Sequence, residues 1–158
     1  MRYSVNFDDV ASGSVADTFA TIAALIAADT TGHRCRLLSI SLGPSDDAPL
    51  DLSLAIQLRR VNDVSAGGNG TGTAFTPVPQ DSAAVAAVIT AKTDCSVEPT
   101  TYTEPLWQID MNTRNSIIKQ WTPEEAPIIN QDQLLGLLVA PRSANAITVS
   151  GTLEFEQF

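Results

Sequence analysis

Residues 51–61 (DLSLAIQLRRV) carry the pattern that most limits what this chain can fold into. Large apolar residues alternate there with polar or small ones, and a period of two is typical of a β-strand with one buried face. A single strand cannot bury that face alone, so the rest of the chain must supply a sheet and a second layer to cover it. The alternating apolar residues are Leu52, Leu54, Ile56 and Leu58.

Similar alternation recurs along the whole sequence. It predicts an opening strand over residues 2–10 and a strand over residues 33–42, which a turn at residues 43–49 joins to residues 51–61 as an antiparallel pair. Eight or more short strands predict a mainly β fold, a jelly roll or β-sandwich. The other predicted strands and extended segments cover residues 75–81, 83–91, 107–112, 116–121, 128–129, 134–139 and 145–158.

One segment departs from the period of two. Ser14 followed by Asp17 resembles a capping box with Asp in place of Glu, and apolar residues then recur at intervals of four, three and four. We therefore predict one amphipathic helix over residues 15–28, ended by residues 30–32 and lying across one face or end of the sheet. Its apolar stripe consists of Val15, Phe19, Ile22 and Ile26.

The length and charge of the chain bound its class. Its 158 residues fit a single domain, residues 1–158, that buries a core without disulfides. A formal charge of −9 with dispersed basic residues repels phosphate backbones, so we expect no direct nucleic-acid partner. The N-terminus has no apolar h-region, and the longest apolar runs are too short for a membrane span, so we expect no membrane partner and synthesis in the cytosol.

No residue pattern predicts catalysis or a cofactor. His33 is the only histidine, so any Ser-His-Asp or Cys-His site would need it, and a partly exposed polar side chain is the simpler interpretation. One histidine also excludes a histidine-rich metal site. Cys35 fits a small core residue; it could pair with Cys95, but two cysteines do not form a disulfide framework. We expect neither enzyme activity nor a cofactor.

Acidic and glycine-rich segments have ordinary structural explanations. Several aspartates could offer oxygens to calcium, but their spacing matches no EF-hand loop, and turn chemistry explains Asp46 and Asp47. The glycines of residues 67–72 lack the Lys-Ser or Lys-Thr of a phosphate loop, so we interpret residues 62–73 as a mobile loop. The other calcium candidates are Asp8, Asp9 and Asp51.

Glutamates and aromatic residues raise the question of sugar chemistry. A glycosidase needs two carboxyl groups at a set separation, which sequence cannot give, so a solvated face is the simpler interpretation of the glutamates. Aromatic residues could form a sugar-stacking platform, but alternation favours core positions for Trp107 and Trp121. The glutamates are Glu98, Glu104, Glu124 and Glu125, and the other aromatic residues are Phe75 and Tyr102.

The order of segments after residue 75 resembles the small jelly-roll proteins encoded among the head genes of tailed bacteriophages. The resemblance implies a decoration (cement) protein that binds the major capsid protein outside the shell as a homotrimer and holds the shell against internal DNA pressure. It implies a virion location on the capsid exterior, after assembly in the host cytoplasm. The segments that carry it are residues 75–101, 106–107, 112–121, 134–139 and 153–156, with the proline-rich loop between residues 121 and 128.

This resemblance leads to a hypothesis about contacts. The N-terminal arm and the proline-bracketed loops would bind the capsid by adding backbone hydrogen bonds to a neighbouring sheet, so deletion of residues 1–7 would weaken capsid binding. Trimer contacts would use one sheet face or residues 121–129. The alternative function is a carbohydrate-binding β-sandwich, a lectin or host-adhesion module, which predicts exposed aromatic residues. A hydrolase that uses carboxylates alone is a third class.

Overall fold

The structure is a computed structural model that describes residues 1–27, 32–45, 51–65, 68–83 and 85–158. Within these ranges the fold is all-β, with two antiparallel sheets and no helix. The strands are β1 (Arg2–Ala11), β2 (Ala20–Ala27), β3 (Cys35–Pro44), β4 (Ser53–Val61), β5 (Thr71–Phe75), β6 (Val78–Pro79), β7 (Thr90–Val97), β8 (Trp107–Asn112), β9 (Ile117–Gln120), β10 (Ile128–Ile129), β11 (Gln133–Pro141) and β12 (Thr148–Gln157).

The strands divide between two sheets that are consistent with a β-sandwich. The β1 sheet has the order β10-β3-β12-β1-β6, with β9 also paired to β3. The β2 sheet has the order β5-β7-β2-β11-β4-β8. Every pairing between strands is antiparallel. The first four strands alternate between the sheets, and buried residues of both sheets form one core.

The core lies between the sheets and explains the alternation in the sequence. Leu54, Ile56 and Leu58 of β4 are buried there, which confirms the one-sided strand predicted at residues 51–61. From the other sheet, the ring of Tyr3 stacks on Phe155 with centroids 5.4 Å apart. Burial of one side of each strand provides the main favourable free energy of such a fold.

The first strand is part of this core and not a free arm. Tyr3, Val5 and Phe7 are buried, and β1 pairs with β12 over most of its length. The opening strand predicted at residues 2–10 is therefore confirmed. The hypothesis of an N-terminal arm is wrong, because the alternating apolar residues commit this segment to the sheet.

The predicted helix over residues 15–28 is wrong. Residues 20–27 form β2, which lies between β7 and β11, while residues 12–19 form a loop in which Asp17 has φ 57°. Both faces of β2 are buried, so its sequence lacks the alternation of a half-buried strand, and its alanines favour helix locally. Residue 28 lies outside the described residues.

The predicted pairing of the third and fourth strands is also wrong. β3 pairs with β12, β9 and β10 in the β1 sheet, whereas β4 pairs with β11 and β8 in the β2 sheet. The chain crosses from one sheet to the other between them, so their apolar sides meet across the core. Residues 46–50 of this connection, with Asp46 and Asp47, lie outside the described residues.

Two weaker predictions are corrected in part. The segment predicted as a mobile loop at residues 62–73 includes the first residues of β5. Gly70, with φ 64°, packs so closely on Pro99 that a Cβ added to Gly70 would lie 2.7 Å from the nitrogen of Pro99. Only a glycine fits there. Of the segment predicted as extended at residues 83–91, the part at residues 85–89 carries no regular structure, and β7 begins at Thr90.

Candidate functional site

The candidate catalytic residues of the sequence lie apart. His33 is half-buried just before β3, Cys35 is buried in β3, and Cys95 lies on β7 in the other sheet. In the described part of the chain no group of three or more His, Cys, Asp or Glu side chains is placed to hold a metal ion. The two calcium candidates Asp8 and Asp51 instead accept hydrogen bonds from Ser150 and Asn112.

Glu98 forms a polar network that reaches the interior of the fold. The amide of Thr21 donates to both carboxylate oxygens of Glu98, at 3.0 Å each, and the Thr21 hydroxyl also bonds to this carboxylate. The Tyr102 hydroxyl lies 2.9 Å from the Thr21 hydroxyl. Burial raises the pKa of Tyr102 well above its ordinary value. An added Cβ on Gly136 would lie 2.4 Å from the Tyr102 oxygen, so the tyrosine fits only over a glycine.

This network fastens a covering segment and does not form an open site. Tyr102 packs against a second, smaller apolar cluster on the outer face of the β2 sheet, which includes Ala24, Ile26 and Leu134. The hydrogen bonds of Glu98 hold that covering segment to the start of β2. Of the candidate glutamates, Glu98 is thus structural, whereas Glu104, Glu124 and Glu125 are exposed and solvated.

The partly buried environment of the Cys95 thiol, beside this network, predicts low reactivity. Burial raises the pKa of Cys95 to about 11, and the Glu98 carboxylate adds to the effect. A rise to that value lowers the thiolate fraction at neutral pH about 100-fold. We expect iodoacetamide to alkylate Cys95 about 100-fold more slowly in the folded protein than in denaturant, as followed by peptide mass mapping. Equal rates in both states would contradict the buried environment of this thiol.

Trp107 and Trp121 meet between the edges of the two sheets. Their rings pack edge to face with centroids 6.1 Å apart, and both rest partly buried on the core. The Lys119 ammonium lies 5.3 Å from the centre of the Trp121 ring, within the range of a cation–π contact. The predicted core role of the tryptophans is therefore confirmed in part, because they close the side of the core but remain half-exposed.

β8, which carries Trp107, and β9, which ends one residue before Trp121, form the candidate functional surface. β8 is the last strand of the β2 sheet, and β9 is a terminal strand of the β1 sheet on the same side of the fold. Leu106, Ile109 and Ile118 are exposed there. Unpaired strand edges with exposed apolar side chains are sites at which proteins bind other chains. We name β8, β9 and the turn between them the β8–β9 side.

Arg142 fixes the β8 edge of this surface. Its guanidinium lies 2.6 Å from a carboxylate oxygen of Asp17 and 2.8 Å from one of Asp110. The hydrogen bond to Asp17 raises the pKa of Arg142 above its ordinary value, and the hydrogen bond to Asp110 adds a smaller effect. Asp110 belongs to β8 and Asp17 to the loop before β2, so Arg142 ties that loop to the edge strand.

The outer face of the β1 sheet carries polar side chains that pair across its strands. Pairs of side chains hydrogen-bond across its strands, such as Arg36 to Glu156 and Ser39 to Glu154, each at 2.8 Å. At its β9 end a shallow cleft combines cationic, carboxylate, amide and aromatic groups, which suit a polar ligand. The cleft is lined by Arg2, Leu38, Ser39, Gln120, Trp121, Pro123 and Glu154.

Sequence reasoning identified the tryptophans but missed the rest of these sites. Glu98 was assigned to a solvated face because its partner Thr21 lies 77 residues away in the chain, and no local pattern joins them. The exposure of Ile118 was missed because alternation locates a strand without telling whether the strand is central or terminal in its sheet.

Within the described ranges no helix has the length and apolar character needed to cross a membrane.

Comparison with known proteins gives no family assignment. No family model matches the chain, and no curated protein matches its sequence. Among solved structures the chain is similar to a chain of "Structure of infectious bursal disease virus Gx strain", with 15% identity and a TM-score of 0.24 over 98% of this chain. The chain spans 39% of the length of that protein chain. A similarity at this TM-score carries no argument about fold or function.

Proposed function

We propose that this chain is a structural virion protein, a decoration (cement) protein that binds the outer surface of a tailed-phage capsid as a homotrimer and stabilises the shell. The observation that carries the proposal is the strand order. In one sheet the neighbouring strands are, in order, β1, β12, β3 and β9. In the other sheet they are, in order, β2, β11, β4 and β8. This order supports a jelly roll, with β5, β6 and β7 inserted between β4 and β8 and with β10 inserted between β9 and β11.

Charge and chemistry support an external structural role. The net charge of −9 would repel packaged DNA, so the outer face of a shell suits this protein better than its interior. Within the described residues the candidate catalytic groups stay apart, and the Glu98 network serves packing. Function therefore falls to surfaces, of which the β8–β9 side has the most exposed apolar character near unpaired edges.

The proposed capsid contact is the proline-bracketed loop at residues 122–127. Because residues 1–7 belong to the core, they cannot serve as a free arm. The loop is held as a tight turn by the amides of Glu125 and Ala126, which both donate to the carbonyl of Thr122 at 3.0 Å. Pro123, Glu124 and Glu125 are exposed on it. A rigid, exposed turn binds a partner at a low entropic cost.

Replacement of the two exposed glutamates tests this contact. We expect the double variant E124K/E125K to bind capsids about tenfold more weakly without a change in melting temperature, because charges at an interface rim alter association more than folding. The measurement is occupancy on capsids assembled without this chain, after titration with the protein and sedimentation. As a matched control, E104K changes an exposed glutamate outside the loop.

The two outcomes separate the loop from the function. Equal binding by wild type, the double variant and E104K would remove the loop from the interface. If the wild type does not bind these capsids and does not raise the temperature at which they release DNA, the proposed function is wrong.

The carbohydrate-binding alternative rests on the shallow cleft beside Trp121. Arginine, carboxylate and amide groups next to an aromatic ring suit a sugar. Against this, Lys119 already lies over the Trp121 ring. A glycan ligand would quench tryptophan fluorescence in a saturable way and protect the protein thermally, and the variant W121F would lose that protection.

A further inference from the structure

β8 is an open edge of the β2 sheet. It pairs with β4 on one side, and no strand of the described residues pairs with it on the other. The strand is six residues long, and Ile109 near its centre is 41% exposed. An edge strand with an exposed apolar side chain is a site at which a further strand can bind through backbone hydrogen bonds. β8 therefore offers both backbone groups and apolar surface to another strand.

The backbone groups of Gln108 and Asp110 point away from the sheet. In an antiparallel ladder, alternate residues bond to the strand on one side, and the residues between them turn their N–H and C=O groups to the other side. The Thr113 amide donates to the carbonyl of Leu52 at 2.9 Å, in continuation of the register between the two strands, so the odd residues of β8 bond to β4. Gln108 and Asp110 lie between odd residues and direct their N–H and C=O groups to the open side.

The charge around β8 permits a second copy of the chain to approach. The whole chain carries a formal charge of −9, so two copies repel each other over most of their surfaces. Residues 107–120, from β8 through the turn to β9, contain one acidic residue, Asp110, and two basic residues, Arg114 and Lys119. Asp110 is also paired with Arg142, at 2.8 Å. The β8–β9 side thus lacks the negative excess of the chain, and a second copy meets little repulsion there.

A two-fold axis fixes how β8 can pair with its own copy. Two copies of one strand related by such an axis run antiparallel, and residues that face outward must oppose residues that face outward, so the axis passes at a residue of β8. Axes at Ile109 and at Asp110 each pair five residues of the strand, 107–111 and 108–112, and an axis elsewhere pairs fewer. The axis at Asp110 would place two carboxylates directly opposite each other, which is destabilising. The axis at Ile109 opposes no like charges.

We propose that β8 pairs with β8 of a second copy about a two-fold axis at Ile109. Gln108 of each copy then lies opposite Asp110 of the other, and the two pairs exchange four backbone hydrogen bonds. On the outer face of the sheet, the side-chain amide of Gln108 can donate to the Asp110 carboxylate across the contact. On the inner face, the two Ile109 side chains meet directly opposite each other, which removes their exposed apolar surface from water.

The two-fold contact goes beyond the trimer of the proposed function, because a two-fold axis cannot build a trimer. Only its role on a shell rests on that function. There it would join copies of neighbouring trimers, since two-fold axes relate neighbouring three-fold positions of a shell. One pair of edge strands buries less area than a standard protein interface, so we expect weak association in solution. On a shell the bound copies are held close together, which raises their effective concentration and strengthens the contact.

Engineered cysteines test the register of this contact. The two copies of residue 109 form a non-hydrogen-bonded pair, whose Cα atoms lie about 4.5 Å apart, a separation that a disulfide spans. We expect I109C, oxidised at micromolar concentration, to form a covalent dimer about tenfold faster than Q108C, whose two cysteines would lie about 8 Å apart. Denaturing electrophoresis without reductant measures the dimer. V78C is a second control, since Val78 is half-exposed on β6 of the other sheet, and wild type gives the background from Cys35 and Cys95.

A backbone variant tests the hydrogen bonds of the contact. Proline at position 108 removes the outward N–H of each copy but leaves the bonds to β4, so two of the four hydrogen bonds across the contact are lost. We expect Q108P/I109C to form the covalent dimer about tenfold more slowly than I109C. N6P/I109C is the matched control. The Gln157 amide donates to the carbonyl of Met1, so the odd residues of β1 bond to β12, and Asn6 turns its N–H to the far edge of the β1 sheet.

The outcomes separate this contact from the proposed function. Faster cross-linking of I109C than of Q108C and V78C, slowed in Q108P/I109C but not in N6P/I109C, supports the two-fold pair. Equal or faster cross-linking of either single control overturns it, as does an equal rate for I109C and Q108P/I109C. If thermal unfolding shows that proline at position 108 prevents folding, the comparison of I109C with Q108C decides alone. Capsid binding without the specific cross-link refutes only this contact, whereas the cross-link without capsid binding refutes only the proposed function.

Discussion

Deletion of residues 1–7 is expected to abolish cooperative folding and not merely to weaken a surface contact. Tyr3, Val5 and Phe7 are at most 5% exposed, and burial of each such side chain contributes about 1.5–3 kcal/mol. Together they account for about 5–9 kcal/mol, which is comparable to the whole stability of a domain, about 5–15 kcal/mol. The deletion also leaves β12 with an unpaired edge over most of its length.

Circular dichroism and thermal unfolding measure this effect directly. The truncated chain should lack a cooperative transition and should aggregate, since an exposed, partly apolar strand edge recruits other chains. The variant S4A/N6A is the matched control, because it changes outward-facing side chains of the same segment. We expect its transition to shift by no more than about 4 °C. A cooperative transition in the truncated chain at the wild-type temperature would show that β1 is dispensable.

The same strand shows what the sequence is able to predict. Alternation reports that one face of a strand is buried, and it located β1, β4, β8 and β12 because each has one face on the core and the other outside. The all-β class followed from the number of such segments. The candidate tryptophans were also located by alternation, which placed Trp107 on the inner side of β8.

The wrong helix prediction has a physical cause, which is that burial of a second face of a strand removes the period-two signal from its sequence. β2 is covered on its outer face by the segment fastened through Glu98 and Tyr102, so an apolar run replaced the alternation and a spurious helical period emerged. Partners in a sheet are equally invisible to a local pattern. Asn6 of β1 and Ile118 of β9, for example, lie at the same level of the β1 sheet although they are more than 100 residues apart in the chain. Such an alignment can be recognised only when the order of the strands is known.

Substitution of Gly151 by alanine is expected to be the most destabilising single-methyl change in the β1 sheet. Gly151 lies in β12 between β1 and β3, and an added Cβ would lie 2.2 Å from the backbone oxygen of Ser41 and 2.8 Å from Cζ of Phe7. The oxygen cannot move away without disturbing the pairing of β3 with β12. Overpacking of a well-packed core costs about 1–3 kcal/mol, and we expect the upper end of this range or more.

Gly43 provides the control for this prediction, because it lies in the adjacent strand, one row away. An added Cβ there would meet only the Cβ of Ser116 at 3.5 Å, an ordinary van der Waals contact. At about 2–4 °C per kcal/mol for a chain of this size, G151A should lower the melting temperature by about 6–12 °C, and G43A by less than about 4 °C. Similar melting temperatures for the two variants would show that β3 and β12 pack less closely at this row. A selective loss in G151A would instead support the close packing of β3 on β12 at this row.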